Sequence, residues 1–252
     1  MTCRPALILP WLLLLSTGCS NSSSTAKEAI ANEGAAGAAT GSAGAGLAGS
    51  SAGGGAAYAT DFNLTESPIS EQGAWTRLGL DWTQVNTASG RAFGTHSGSG
   101  FDDSYAHLSG FPPDVEVSTV IYLDPSIGSD YHEVEIHLRW SDAAHDAHGY
   151  ECNLNYAGGY AEIVRWNGPL GDFTYIGDGQ GAGGGHKPVN GSVFKARIQG
   201  NIITTSLDGT LLQTADISKP GGAVWSDGNP GMGFYNGESG KYGFQSYSVV
   251  SL

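Results

Sequence analysis

The chain has 252 residues, with 24 acidic against 11 basic side chains and a formal net charge of −13 at pH 7. This length suffices for one or two domains. The acidic balance argues against binding to nucleic acid phosphates or anionic lipid surfaces, both of which attract clustered Lys and Arg. No run of eighteen apolar residues occurs beyond the N-terminus, so the sequence predicts no internal membrane span.

The first segment has the composition of an export signal. Arg4 precedes an apolar stretch from Ala6 to Leu15 that is too short for a stable membrane span. The stretch ends in Ser16-Thr17-Gly18-Cys19, which resembles the lipobox of bacterial lipoproteins, although Ser16 stands where that family usually has Leu. The resemblance implies a signal peptide at residues 1–18, lipidation of Cys19, and export to the bacterial outer membrane or cell surface. The alternative is an ordinary secretory signal with an incidental cysteine.

Residues 19–57 have the composition of a tether. The stretch from Gly34 to Ala57 is almost entirely Ala, Gly and Ser. Such a segment buries too little apolar surface to offset the entropy of ordering it. We therefore predict a disordered linker that carries one domain of residues 58–252. Cys152 is the one cysteine in that domain, so no intrachain disulfide is expected there.

The predicted domain is dominated by alternating apolar and polar residues. Turn signals such as Asn167-Gly168 and Asp208-Gly209 separate the alternating runs. No run has a helical period. The pattern predicts an all-β fold, a two-sheet antiparallel sandwich of jelly-roll type. The main predicted strands are Val115 to Leu123, Glu133 to Trp140, Tyr150 to Tyr156, Tyr160 to Trp166, Val193 to Gln199, Asn201 to Leu207 and Tyr242 to Val250.

Two segments carry a family resemblance. The hairpin from Phe194 to Gly209 and the strand Gly231-Met232-Gly233-Phe234-Tyr235 resemble the concanavalin A-like lectin and glucanase superfamily, which includes laminin G-like modules. The resemblance implies a jelly roll whose concave sheet holds glycans. Because that superfamily contains lectins, hydrolases, lyases and non-enzymatic modules, the fold alone does not give the function.

The most informative segment is Glu133 to Trp140. Period two places Glu133, Glu135, His137 and Arg139 on one face, and Val134, Ile136, Leu138 and Trp140 on the other. The next predicted strand adds polar side chains that would join the first set if the two strands pair. These are Glu151, Asn153 and Asn155. We expect this surface to bind a polysaccharide or oligosaccharide.

Three interpretations of this polar surface remain open. A retaining glycosidase needs two close carboxylates, and Glu133-Val134-Glu135-Ile136-His137 resembles the acidic strand of the family 16 glucanases, with His137 in place of the last Glu. A polysaccharide lyase would use Arg139 to neutralise a uronate, and His137 or a tyrosine as general base. The third interpretation is a solvated face with cross-strand ion pairs and no active site. The sequence does not decide whether the protein is an enzyme.

Aromatic and metal-ligating residues complete the expectations. Trp166 and Trp225 are the candidate platforms for sugar rings, with Trp225 expected in an exposed loop. His145 and His148 form a candidate metal site with Asp142 or Asp146, although their spacing alone is a weak signal. The resemblance also allows a structural calcium ion, for which the candidate ligands are Asp61, Asp208 and Asp227.

The favoured function is a surface-anchored lipoprotein whose jelly roll binds polysaccharide. A polysaccharide-degrading enzyme on the same face is the first alternative, and a non-catalytic adhesion or structural lipoprotein is the second. We expect no required cofactor, no nucleic acid partner, contact with the membrane through the lipid anchor only, and a monomer.

Overall fold

The computed structural model describes residues 55–128, 131–178, 181–219, 221–236 and 240–252. The predicted signal peptide, the proposed lipidation site Cys19 and most of the predicted linker lie outside the described residues. Within the described ranges the chain forms fourteen β-strands and no α-helix, so no helix there is long and apolar enough to cross a membrane.

The strands are short to medium in length and follow one another through tight turns. Their bounds are β1 Ala57–Thr60, β2 Thr83–Thr87, β3 Ala92–Gly94, β4 Ser104–His107, β5 Val115–Leu123, β6 Glu133–Ala143, β7 Asp146–Asn155, β8 Ala161–Gly168, β9 Phe173–Tyr175, β10 Val193–Gln199, β11 Ile202–Leu207, β12 Thr210–Asp216, β13 Asn229–Tyr235 and β14 Tyr242–Ser251. The bounds of β5 and β10 are those that the sequence predicts. The short strands β1, β2, β3, β4 and β9 and the hairpin partner β12 were not predicted.

The strands form two sheets that share β2. The first sheet has the order β12-β11-β10-β5-β14-β3-β2, with β1 also paired to β14, and the second has the order β2-β4-β13-β6-β7-β8-β9. The first half of β2 pairs with β4 and its second half with β3. All pairs are antiparallel except β2 with β4. The all-β jelly-roll sandwich is therefore confirmed, with one parallel pair that the sequence did not predict.

The hydrophobic core lies between the two sheets. Alternate residues of β6 and β7 face it from the second sheet, and alternate residues of β5 and β10 face it from the first. Burying this apolar area is the main stabilising contribution, at roughly 25 cal/mol per Å². Cys152 is fully buried in the core, as its neighbours indicated, and burial raises the pKa of its thiol. The polar residues that alternate with the core residues therefore lie on the outer faces of the sheets.

A β-bulge in β6 changes which residues share a face. Leu138 pairs with Tyr150 and Ser141 pairs with His148, so Arg139 and Trp140 together stand opposite the single residue Gly149. Arg139 adopts a φ of 48°, which an L-residue rarely takes. Gly149 permits the close approach, because a Cβ there would lie 2.8 Å from the carbonyl oxygen of Arg139. The prediction that Trp140 shares a face with Leu138 is wrong, because the extra residue turns Trp140 to the outer face.

The same bulge moves Arg139 away from Glu133, Glu135 and His137. Its guanidinium donates hydrogen bonds to the carbonyl oxygens of three separate loop residues and to the Asp114 carboxylate, at 2.8 to 3.1 Å. The three carbonyls belong to Pro113, Gly200 and Trp225. The expectation that Arg139 shares a face with His137 is therefore wrong, and its contacts are those of a side chain that joins loops.

Candidate functional site

A cleft of about 530 Å³ opens on the outer face of the second sheet. Its volume lies within the range of small-molecule and cofactor pockets. Strands β6, β7 and β8 form the floor, and residues near β4, β9 and β13 form the walls. The lining residues are Phe101, Asp103, Tyr131, Glu133, Glu151, Asn153, Tyr160, Glu162, Val164, Trp166, Phe173, Tyr175, Gly181 and Tyr235.

The carboxylates of the floor are held by hydrogen bonds from the cleft's own residues. The Tyr160 hydroxyl donates to Glu133. Glu151 accepts hydrogen bonds from Nε1 of Trp166 at 2.6 Å and from Nδ2 of Asn153 at 3.1 Å. The backbone N–H of Gly181 donates to Glu162 at 2.6 Å. These contacts fix the orientation of three carboxylates that line the same opening.

Glu135 and His137 are almost completely buried, and neither lines the cleft. Oε2 of Glu135 lies 3.1 Å from Nε2 of His137. Gly233 of β13 pairs with Glu135, and a Cβ at that position would lie 2.0 Å from Oε2 of Glu135. A glycine is therefore needed on β13 for the carboxylate and imidazole to occupy this space.

Burial and mutual repulsion shift the pKa values of these acids upward. Burial, opposed by the Tyr160 hydrogen bond and reinforced by Glu151 and Glu162, raises the pKa of Glu133 to about 8. Burial and the neighbouring carboxylates hold the pKa values of Asp103 and Glu135 well above their ordinary range. The pKa values of Glu151 and Glu162 are also raised by burial, against hydrogen bonds that lower them. Upward shifts caused by burial and by neighbouring carboxylates are typical of functional sites.

His137 has the opposite shift. Burial, with a smaller contribution from the nearby His107, lowers its pKa to about 3. The imidazole is therefore neutral at physiological pH. Its ring stacks on Trp140 with centroids 4.0 Å apart and an interplanar angle of 18°.

An aromatic cluster covers one end of the outer face. It consists of Trp82, Tyr105, Trp140 and Trp166, with Phe173 packed against it. Neighbouring rings meet edge-on or tilted at centroid distances of 5.4 to 6.4 Å, a favourable geometry for aromatic pairs. The cluster is separate from the main core, and two of its rings, Trp166 and Phe173, line the cleft.

The structure brings together only some of the residues that the sequence analysis selected. Glu133, Glu151, Asn153 and Trp166 line the cleft, whereas Glu135 and His137 are buried next to its floor. Arg139 lies outside it.

Two predicted binding residues make other contacts. Asn155 accepts hydrogen bonds from the N–H groups of Ala157 and Gly159, so it shapes the turn after β7. Nε1 of Trp225 donates to the carbonyl of Trp166, and its ring packs against the hydrophobic core without lining the cleft.

The histidines of the β6–β7 turn do not form a shared cluster. Nδ1 of His145 lies 2.9 Å from Asp81, and Nδ1 of His148 lies 3.0 Å from Asp146. Asp142 instead contacts Nε2 of His107, at 2.9 Å. Within the described ranges, one group of three side chains brings its ligand atoms close enough for a metal ion, namely Glu135, His137 and Glu151. The calcium candidates Asp61, Asp208 and Asp227 are not in that group.

Several cleft residues were not found from the sequence. Glu162 lies opposite Asn153 and alternates with Val164 and Trp166, so strand pairing could have identified it. Asp103 reaches the cleft from the segment before β4, and no local pattern marks it. The wall residues Tyr175 and Tyr235 come from a three-residue strand and from the end of β13, which the sequence did not connect to the floor.

Comparison with known proteins shows the fold. No family model matches the chain, and no curated protein matches it significantly. A Bacillus subtilis protein of unknown function with a galectin-like fold has a TM-score of 0.52 at 11% identity, covering 77% of this chain and 94% of that one. The carbohydrate binding module CBM66 from Bacillus subtilis has a TM-score of 0.48 at 16% identity, covering 73% and 95%. The Bacillus licheniformis β-glucanase has a TM-score of 0.48 at 11% identity, covering 80% and 100%.

The similarity to the Bacillus subtilis protein shows a shared galectin-like fold, in agreement with the jelly-roll sandwich predicted from the sequence. What these proteins share with the chain is the fold. At identities this low, a shared fold does not show a shared function.

Proposed function

We propose that the chain binds a polysaccharide built from neutral or cationic sugars in the cleft of the second sheet. The observation that carries the proposal is the combination of carboxylates and an amide on the floor with aromatic rings on the walls. Carboxylate and amide groups form strong, directional hydrogen bonds with sugar hydroxyls. Aromatic faces carry negative electrostatic potential and attract the C–H groups of a sugar ring.

The charge of the cleft selects among sugars. Four of its described lining residues are acidic, Asp103, Glu133, Glu151 and Glu162, and none is Lys or Arg. A polyuronate would meet these carboxylates with no Lys or Arg in the described lining to neutralise it. A lyase that uses Arg139 for this purpose is not supported, because that guanidinium is engaged by Asp114 and three loop carbonyls.

We also propose the cellular context that the N-terminal sequence indicates. Cys19 would be lipidated after removal of residues 1–18, and residues 19–57 would tether the jelly roll at the bacterial outer membrane or cell surface. A domain held there would be in reach of extracellular polysaccharides. Metabolic labelling with a fatty acid analogue, compared between the natural chain and Cys19→Ser, tests this part.

Affinity electrophoresis on a panel of neutral, cationic and anionic polysaccharides tests the binding proposal. We expect retardation by a neutral or cationic polysaccharide and none by alginate. Tyr175→Ala should weaken binding about three- to tenfold, because one aromatic contact contributes roughly 0.5–1.5 kcal/mol. The matched control is Tyr122→Ala, since Tyr122 lies on β5 of the first sheet. Equal losses in both variants, or retardation by alginate alone, would contradict the proposal.

Hydrolysis is the second candidate, and one observation favours it. Glu133 and Glu151 lie on neighbouring strands and line the same cleft, with different hydrogen-bond donors. A glycosidase needs such a pair, one carboxyl as acid and the other as nucleophile or base. Release of reducing ends from the retained polysaccharide, lost in Glu133→Gln and in Glu151→Gln while binding persists, would establish catalysis. Binding without release of reducing ends would leave a non-catalytic module.

A further inference from the structure

We infer that Glu135, His137 and Glu151 form a binding site for a divalent transition-metal ion beneath the cleft floor. One ligand atom from each residue lies within 4.8 Å of the other two. Nε2 of His137 and Oε2 of Glu135 are already 3.1 Å apart. Ligand atoms around one tetrahedral zinc ion are roughly 3.3 Å apart, so small side-chain rotations would close the set. The inference stands whether or not the cleft takes a glycan.

Unpartnered polar atoms are the second observation. Glu135 is fully buried, and its Oε1 has no hydrogen-bond partner among the described residues. Nδ1 of His137, which is also buried, has none either. A buried carboxylate oxygen without a partner costs several kcal/mol unless a cation or a donor is present. Oε1 of Glu135 therefore has unused capacity for a ligand, and Nδ1 of His137 can carry the ring proton while Nε2 faces Glu135.

The charge balance around the three residues favours a cation. Asp103 and Glu133 are the further charged neighbours that act on Glu135, and both are acidic. None of the hydrogen bonds or ion pairs formed by Glu135, His137 and Glu151 comes from Lys or Arg within the described ranges. Buried carboxylates that lack a basic partner are stabilised when they coordinate a metal ion.

The surroundings accommodate the two side chains and orient the imidazole. Oε2 of Glu135 and Nε2 of His137 occupy the space over Gly233, because a Cβ there would lie 2.0 Å and 2.7 Å from these atoms. The stack on Trp140 fixes the plane of the His137 ring. Glu151 also lines the cleft, so an ion held here lies at the cleft floor.

The donor set indicates which ions fit. One imidazole and two carboxylates match Zn²⁺ or Mn²⁺, whereas Ca²⁺ and Mg²⁺ take oxygen ligands and do not use histidine. Three protein ligands also leave one coordination position open, the pattern of catalytic zinc sites. The competing explanation is that shared protons, and no metal, neutralise the carboxylates.

Isothermal titration calorimetry with Zn²⁺ tests the inference. The sample is the full chain without a histidine tag, dialysed against chelator, with Cys3→Ser and Cys19→Ser so that the thiolates of these two residues do not bind the metal. We expect one Zn²⁺ per chain and at least tenfold weaker binding of Ca²⁺. Glu135→Gln should weaken Zn²⁺ binding at least 100-fold. Gly233→Ala, which removes no ligand, should weaken it at least tenfold by filling the space.

The matched control is His145→Ala, which removes an exposed histidine that also pairs with an aspartate. Its Zn²⁺ affinity should stay within twofold of the parent. The inference is overturned if the parent binds no stoichiometric Zn²⁺, or if binding survives both Glu135→Gln and Gly233→Ala. If neither variant folds, the visible absorption spectrum of the parent with added Co²⁺ tests the inference instead. Intense visible absorption from a four-coordinate site with nitrogen and oxygen ligands supports the inference, and a spectrum like that of aqueous Co²⁺ overturns it.

Discussion

The outer faces of the two sheets use charged residues in opposite ways. On the first sheet, Glu116 of β5 pairs with Lys195 and Arg197 of β10 at 3.5 and 3.7 Å, and all three side chains are open to solvent. On the second sheet, Glu135 and Glu151 are buried, have no Lys or Arg partner among the described residues and lie beside aromatic rings.

This difference separates a solvated surface from a site. Exposed pairs such as Glu116 with Lys195 contribute little to stability and keep the sheet soluble. Burying acids without basic partners lowers stability, and proteins retain such arrangements where function requires them. The same alternating pattern in the sequence therefore produces a solvated surface of ion pairs on one sheet and a candidate site on the other.

The largest expected change in the free energy of unfolding comes from Arg139, the side chain that the bulge places outside the cleft. Arg139→Ala should lower the free energy of unfolding by about 3 kcal/mol, because it leaves three loop carbonyls and the Asp114 carboxylate without their donor. Urea denaturation measures this change. Arg197→Ala on the first sheet is the control, with an expected loss below about 0.5 kcal/mol. Equal losses of stability in the two variants would contradict the conclusion that Arg139 joins loops while Arg197 forms a surface ion pair.

The buried ion pair of the second sheet should give an intermediate effect. Asp142 accepts hydrogen bonds from the Tyr105 hydroxyl and the Leu78 N–H, both at 2.6 Å, and contacts His107 at 2.9 Å. Asp142→Asn should therefore cost about 2 kcal/mol at mildly acidic pH.

The pH dependence of that loss follows from the two pKa shifts. Burial alone would raise the pKa of Asp142, but hydrogen bonds from His107, Tyr105 and Leu78 outweigh it and lower the pKa below 3.8. Burial alone would lower the pKa of His107, but its bonds to Asp142 and Leu108 raise it above 6.5. The contribution of Asp142 is thus lost as pH falls below 3.8, and that of His107 is lost as pH rises above 6.5.

Thermal melts of the natural chain and Asp142→Asn over a pH series measure this dependence. Their difference should be greatest between the two limits, at about pH 4 to 6.5. If the difference in melting temperature between the two proteins is about the same from pH 3 to pH 9, the pair contributes through packing alone.

The smallest effect is expected on the first sheet. Glu116→Gln should change the free energy of unfolding by less than about 0.5 kcal/mol, because both of its ion pairs are exposed to solvent. Any effect should shrink further in high salt, since screening weakens exposed pairs. Urea denaturation at low and high salt measures both. A loss of stability as large as that of Asp142→Asn would show that ion pairs on the first sheet also contribute substantially to the stability of the fold.

Much of the fold could be predicted from the sequence because alternation is a local property. The strands β5 and β10 have their predicted bounds, and the pairing that sets Glu135 opposite Asn153 and His137 opposite Glu151 follows from two alternating runs joined by a turn. The short strand β9 was missed because three residues are too few to establish a period.

The candidate site was predicted only in part. Its floor follows from the period of β6 and β7, and Glu133, Glu151 and Asn153 line the cleft as that period requires. Its walls were beyond prediction, because Asp103 and Tyr235 meet the floor through contacts between segments that are distant in the chain. No local pattern records such contacts.

The sequence by itself determined the strand class, the core-facing residues and the polar character of the outer face, because each depends on side chains two positions apart. Only the tertiary structure decided that the alternation of β6 is interrupted after Leu138. The bulge at Arg139 requires the close approach of Gly149 and hydrogen bonds from its guanidinium to separate loops. Those contacts exist only once the sheets have assembled. They place Trp140 beside His137 and remove Arg139 from the site.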